Sequence, residues 1–329
     1  MKLPGSRWLH RAAGAATPTV IAVVFLTFLG HAAAAQAART IRIVVPFPPG
    51  GPTDTLARLL ADQISRAQGA TIAVENRPGA SSVIGTEAAS RAAPDGNTLL
   101  INSPAFLINP HMKKLDYDPL TSFEPICHLV NSPTVVAVSG PSPFRTLADL
   151  LGAARARPGA LTLASVGPGS TTQIAFEMLK SAARVDMTFV PYPGMAPAAN
   201  ALLGEHVSSA WLDYAQAGEQ IKAGSLRALV KGTILEALPE VPTIAELGYR
   251  DIDADPWFGV VAPAKTPKDT IAQLAGWFTT ALRDPAVKPK LGALGFEPVA
   301  ACGADFGAFM HKQYEQYGRV IRAANIRAE

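Results

Sequence analysis

The sequence is short of the residues that carry most metal and covalent chemistry. Cys127 and Cys302 are its only cysteines in 329 residues. They could pair in an oxidising compartment, but one bridge is no framework for a chain of this size. Beyond residue 37 there are four histidines, His111, His128, His206 and His311. None lies three or four residues from another or close to a cysteine, whereas zinc sites usually show local ligand pairs. No metal is expected, and each histidine reads as a surface or satisfied loop residue. Also missing are a G-x-S-x-G elbow, a Walker sequence, a G-x-G-x-x-G after a strand and H-E-x-x-H. Nothing supports a Ser-His-Asp set assembled from distant residues. No cofactor and no catalytic residue are expected.

Long apolar runs are missing too. The first, about Thr19 to Leu29, follows Lys2, Arg7 and Arg11 and precedes the small-residue stretch His31 to Ala38. Charge, apolar run and the A-x-A site Ala35-Gln36-Ala37 form the pattern of a secretory signal peptide, with cleavage expected after Ala37. The competing reading is a membrane-spanning helix, for which the run is shorter than the roughly 20 apolar residues a bilayer needs. No cysteine near the junction supports a lipid anchor. The expected location is outside the cytoplasm, in the periplasm of a diderm host.

Strong charge of either sign is absent once that segment is set aside. The whole chain has 29 basic and 26 acidic residues, and the first 37 residues hold three of the basic ones and no acid. The remainder is balanced, 26 against 26. A nucleic-acid partner would call for a clustered basic face, and none is present.

What the chain does contain is a succession of short apolar runs and helical stretches. Ile41–Phe47, Thr71–Glu75, Thr98–Asn102, Pro133–Ser139, Leu161–Ser165, Thr188–Val190, Val207–Leu212 and Leu226–Val230 read as strands. Helical spacing marks Asp54–Ala67, Val83–Ala92, Thr146–Ala156, Thr172–Ala183, Ala196–Leu203, Asp269–Arg283 and Phe306–Ala324. Strands alternating with helices predict mainly parallel sheets flanked by helices, in an α/β fold. The length beyond residue 37 suits two domains.

One arrangement occurs twice. Ile41–Ala61 runs strand, Pro/Gly loop (Pro46 to Pro52), Thr53, helix, and Leu161–Lys180 runs strand, Gly loop (Gly167 to Gly169), Ser170-Thr171-Thr172, helix. Glycines let backbone N–H groups approach a ligand, and a helix N-terminus carries unpaired N–H groups and the positive end of the dipole. One such site per lobe would grip an anion from two sides. Gly-rich turns are equally ordinary in doubly wound folds, and N-capping alone would explain Thr53 or Ser170. Asp54 favours the helix but opposes an anion, so contact is expected from N–H groups and hydroxyls instead.

Ile41–Asp54 (IRIVVPFPPGGPTD), Glu75–Ala80 (ENRPGA), Ala93–Leu100 (APDGNTLL), Ile108-Asn109-Pro110, Val166–Thr171 (VGPGST), Val190-Pro191-Tyr192, Ala228-Leu229, Val241-Pro242-Thr243 and Trp257-Phe258-Gly259 follow in an order that resembles the Bug-type extracytoplasmic solute receptors. These are the binding-protein component of tripartite tricarboxylate transporters. The resemblance covers essentially all of the chain beyond the signal segment. It implies a two-lobed periplasmic binding protein fold of type II-like character, with a carboxylate held in the cleft by the two loops just singled out. The implied lobes are 38–132 with 232–329, and 133–231. The implied ligand residues are Phe47, Pro48, Pro49, Gly50, Gly51, Thr53 and Ser103 in the first lobe. In the second they are Ser165, Gly169, Ser170, Thr171, Thr172, Gln173, Met195 and Asp213.

Asp213 matches a family aspartate that faces the cleft and receives a polar or amino group, the other reading being a loop cap. Tyr192 and Trp257-Phe258 are either pocket wall or ordinary core. Two positions depart from the family pattern. Gln173 stands where histidine is common, and Pro193 where lysine is common, so a mono- or dicarboxylate is favoured over a tricarboxylate. The implied partners are that small carboxylate and a membrane permease of the tripartite tricarboxylate type, or a sensor protein. A monomer that performs no chemistry is expected; the alternatives are an exported hydrolase with a similar cleft and an orphan receptor in signalling.

Overall fold

A computed structural model describes residues 40–167 and 169–327. The expected signal segment and cleavage site, and Pro168 of the second glycine loop, lie outside the described residues. No described helix is long and apolar enough to cross a membrane.

The strands form two sheets. The first holds β1 (Thr40–Val45), β2 (Thr71–Asn76), β3 (Thr98–Asn102), β4 (Phe123–Asn131), β10 (Trp257–Pro263) and β11 (Glu297–Cys302), in the order β11-β4-β10-β3-β1-β2. The second holds β5 (Thr134–Ser139), β6 (Thr162–Val166), β7 (Thr188–Tyr192), β8 (Ser209–Asp213) and β9 (Leu226–Lys231), in the order β7-β6-β8-β5-β9. In each sheet three strands run parallel, β2-β1-β3 and β7-β6-β8. An antiparallel strand that has crossed from the other lobe is inserted next to them: β10 beside β3, and β5 beside β8. The sheets are therefore mixed, and the parallel part is the βαβ half that alternating patterning anticipates.

Alternation along the strands sets the layers. Ile41, Ile43 and Val45 enter one core of the first sheet while Val44 enters the other. Val136 and Val138 enter one core of the second sheet while Val135 and Ala137 enter the opposite one. Helices cover these faces, beginning with α1 (Pro52–Gln68), α2 (Val83–Ser90), α3 (Ala105–Met112) and α4 (Leu147–Ala156). Next come α5 (Thr171–Ala183), α6 (Met195–Leu203), α7 (Tyr214–Lys222), α8 (Lys268–Arg283), α9 (Lys288–Ala293) and α10 (Ala304–Ala323). Helix α1 begins with Pro52, whose missing N–H costs nothing there, and ends at Gly69 (φ 65°), whose N–H donates to the Ser65 carbonyl.

The segment after β9, which sequence assigned to the first lobe, packs with the second. Leu235, Leu238 and Val241 join one of the second sheet's cores, and Ile244, Ile252 and Ala254 join the other. Their apolar faces require that cover.

The chain passes between the sheets twice, from β4 to β5 and from β9 to β10, and Asp255 links the two crossings. Its Oδ1 accepts from both the Thr134 backbone N–H and the Thr134 hydroxyl, each at 2.8 Å. The Gly232 N–H donates to the Thr134 carbonyl, and the Ser132 N–H donates to the Pro256 carbonyl. A Cβ on residue 232 would stand 2.0 Å from Asp255 Oδ1, so only glycine fits there. The lobes also touch through α5, whose Ile174 lies in a core cluster with Phe106, Trp257, Tyr317 and Ile321 of the first lobe.

Cys127 of β4 and Cys302 of β11 are register partners joined by a disulfide. Strand pairing supplies the proximity that a separation of 175 residues hides.

Candidate functional site

A cavity of about 780 Å³ lies between the lobes. The first lobe lines it with the Phe47–Thr53 loop, Ser103, Pro104, Ala105 and Ile108, and with Phe258 of β10. The second lobe contributes Val166, Gly169 to Thr172, Met195 and Asp213, and Pro256 of the connection closes the wall.

Two helices point their N-termini into this space. At α1 the N-cap is Gly51, which has no side chain to offer, and Pro52 has no N–H. Thr53 is thus the second residue of the helix and not its cap, and the N–H groups of Thr53 and Asp54 have no intrahelical acceptor. Asp54 is turned away from the cavity. It accepts from Gly50 N–H and from Arg58 Nε, both at 2.9 Å, and from Asn76 Nδ2 at 2.8 Å. The Arg58 hydrogen bond, with help from Gly50 and Asn76, lowers its carboxyl to about 2 against the cost of burial. Asn76 also donates to the Phe47 carbonyl, so one network of side chains holds both ends of the loop.

At α5 the N-cap is Ser170, whose hydroxyl accepts from Gln173 N–H at 3.2 Å. Thr171 and Thr172 occupy the first turn, where N–H groups lack intrahelical acceptors. The Thr172 hydroxyl lies 2.7 Å from Ser165 Oγ, and Ser165 Oγ lies 2.8 Å from the Trp211 carbonyl. Ser165 is fully buried behind this wall and does not line the cavity. Nor does Gln173, whose side-chain carbonyl accepts from the Gly169 N–H at 2.8 Å. These two residues brace the loop. The other thirteen residues expected in the site all line the cavity. Of the aromatic residues in doubt, Phe258 is on the wall and Trp257 is core.

Among the described residues, Asp213 is the only ionisable side chain on the wall. It stands at the N-cap position of α7 but makes no capping hydrogen bond. Its Oδ1 is shielded from solvent without a hydrogen-bond partner among the described residues. Burial raises its carboxyl to about 6. Among the described residues, the wall therefore presents two positive helix ends, a set of hydroxyls, one buried acceptor and no cationic side chain. Such a surface suits a single anionic group with a hydrogen-bond donor elsewhere on the same molecule.

Sequence reasoning missed Pro104, Ala105, Ile108 and Pro256. Ile108 sits in a motif quoted for the family resemblance, but α3, which presents it, was not recognised. No cluster of three or more His, Cys, Asp or Glu that could hold a metal ion occurs among the described residues.

Comparison with known proteins agrees with this architecture. The model of the tripartite tricarboxylate transporter family receptors matches residues 56–326. Protein BugT of Bordetella pertussis is 34% identical over 311 residues, covering 91% of this chain and 94% of BugT. Among solved structures, a solute-binding protein from Polaromonas is 26% identical with a TM-score of 0.78, over 88% of this chain and 99% of that one. An R. palustris protein solved with adipate is 30% identical with a TM-score of 0.71, over 89% and 99%. With its two lobes, its interlobe cavity and a family match over most of its length, the chain belongs to the tripartite tricarboxylate transporter receptors, as a periplasmic solute-binding protein.

Proposed function

We propose that this receptor captures a small mono- or dicarboxylate between its lobes and delivers it to a membrane permease of the tripartite tricarboxylate type. The observation that carries the reading is the convergence of two helix N-termini, one from each lobe, on a cavity with no cationic side chain among the described residues of its wall. A carboxylate would accept from the N–H groups of Thr53 and Thr171–Thr172 and from their hydroxyls, as helix ends favour anions. Asp213 would receive a hydroxyl, an amino group or an ordered water. The adipate bound by the R. palustris relative supports this ligand class. With contacts drawn from both lobes, ligand binding would favour the closed arrangement. We further propose export with cleavage after Ala37, and a second lobe that runs from about residue 133 to residue 255.

Melting temperature measured against a carboxylate library tests the reading. A ligand at about 100 times its dissociation constant should stabilise the fold by about 2.7 kcal/mol. The hit should be recovered chemically unchanged. A library without a single stabilising carboxylate, or a hit that is consumed, would contradict it. Mass spectrometry of the secreted chain tests the cleavage, with Ala38 expected as the first residue.

A further inference from the structure

The cleft does not end at the cavity described above. A second interlobe cavity of about 440 Å³ shares Ala105, Ile108, Val166, Gly169 and Ser170 with the first as a common wall. Gly169 narrows the boundary. Its φ is 75°, and a Cβ there would stand 3.0 Å from Met112 Sδ of the opposite lobe. Glycine keeps the two lobes close where the cavities adjoin, and the thioether of Met112 is a flexible neighbour.

The two chambers differ in charge. Among the described residues, Asp213 is the only ionisable side chain that lines the larger one. Among the same residues, Lys113 is the only charged side chain that lines the smaller one, and it makes no ion pair with any of them. The neighbouring wall is fixed in place. Asn109 Nδ2 donates to the Ser81 carbonyl at 2.7 Å, and the Lys113 backbone N–H donates to the Asn109 carbonyl at 2.9 Å. A molecule whose first carboxylate rests on the helix ends cannot direct a second one at Asp213, where like charges would meet away from water. Past Ile108 and Gly169, which line both cavities, stands Lys113.

We propose that the smaller chamber is a second anion subsite with Lys113 as its cation, and that the preferred ligand is an elongated dicarboxylate spanning both chambers. This rests on the carboxylate-receptor reading and adds the chain length and the second charge. A lysine that merely complements the C-terminal end of α3 would influence stability but not the choice among ligands.

Calorimetry on the whole exported protein tests the proposal, with succinate, adipate and suberate set against butyrate, hexanoate and octanoate. The wild type is expected to bind adipate or suberate more tightly than succinate and than the monocarboxylate of equal length. Lys113→Gln should weaken binding of the long dicarboxylate roughly tenfold, a typical size for one charged contact. It should leave monocarboxylate binding unchanged, and Lys113→Arg should restore the preference. Equal loss for both series, or no loss for either, would overturn the subsite while leaving the carboxylate receptor intact. A wild type that binds neither series would overturn both.

Discussion

The side-chain carbonyl of Gln173 accepts the Gly169 N–H at 2.8 Å, so the second glycine loop is closed by a residue of its own helix. The same residue's backbone N–H is held by the Ser170 hydroxyl, which in turn donates to the Val166 carbonyl at 2.9 Å. The donors left for an anion on this side are those of Thr171 and Thr172. Gln173→Ala should keep the fold but weaken carboxylate binding about fivefold, the worth of one net hydrogen bond. Calorimetry with circular dichroism as a control checks this. Unchanged affinity would mean that the loop does not need its brace.

The hinge carboxylates give a pH dependence of opposite sign to the usual acidic one. Burial raises Asp255 to about 7 from an ordinary value near 3.8, Asp213 lies within electrostatic reach, and Asp253 is also raised. Asp253 is held by Gln313 and influenced by Lys312. A folded-state pKa above the unfolded one means that the native state binds more protons between the two values. Stability from Asp255 is therefore fully present below about pH 4 and lost as pH rises through about 7. Asp255→Asn keeps an acceptor for Thr134 and removes the charge. Melting temperatures of the wild type and this variant should diverge in the variant's favour between pH 5 and 8. Parallel curves over that range would show that Asp255 does not titrate there.

The disulfide ties the edge strand β11 to β4 in the first lobe. Replacing both Cys127 and Cys302 by serine should lower unfolding stability by about 2–5 kcal/mol, through a freer unfolded chain and a polar group placed at the buried Cys127 position. Chemical denaturation with and without reductant checks this, and the reductant should act on the wild type only.

The elements visible in the sequence are those whose patterning is local. Short apolar runs identified β1 and β5, and helical spacing identified α1, α5 and α10, all to within a few residues. Helix α3 was missed because Pro110 lies inside it, where a proline normally argues against helix. Strand β4 carries Pro125 and a register shift between its Cys127 and Pro125 pairings with β10, which breaks the period-two signal. The return of 232–254 to the second sheet depends on contacts with cores far away in sequence. At the site, glycines and hydroxyls beside helix starts were legible because backbone chemistry demands them. That Ser165 and Gln173 face inward as braces was not, since spacing alone does not say which way a polar side chain turns.

The most direct measurement is a crystal structure of the protein with a bound carboxylate identified by the melting screen. The predicted result places one carboxylate group within hydrogen-bond distance of backbone N–H groups from both α1, at Thr53, and α5, at Thr171 or Thr172. A carboxylate held by only one lobe, or bound outside the cavity between Thr53 and Thr172, would contradict the account.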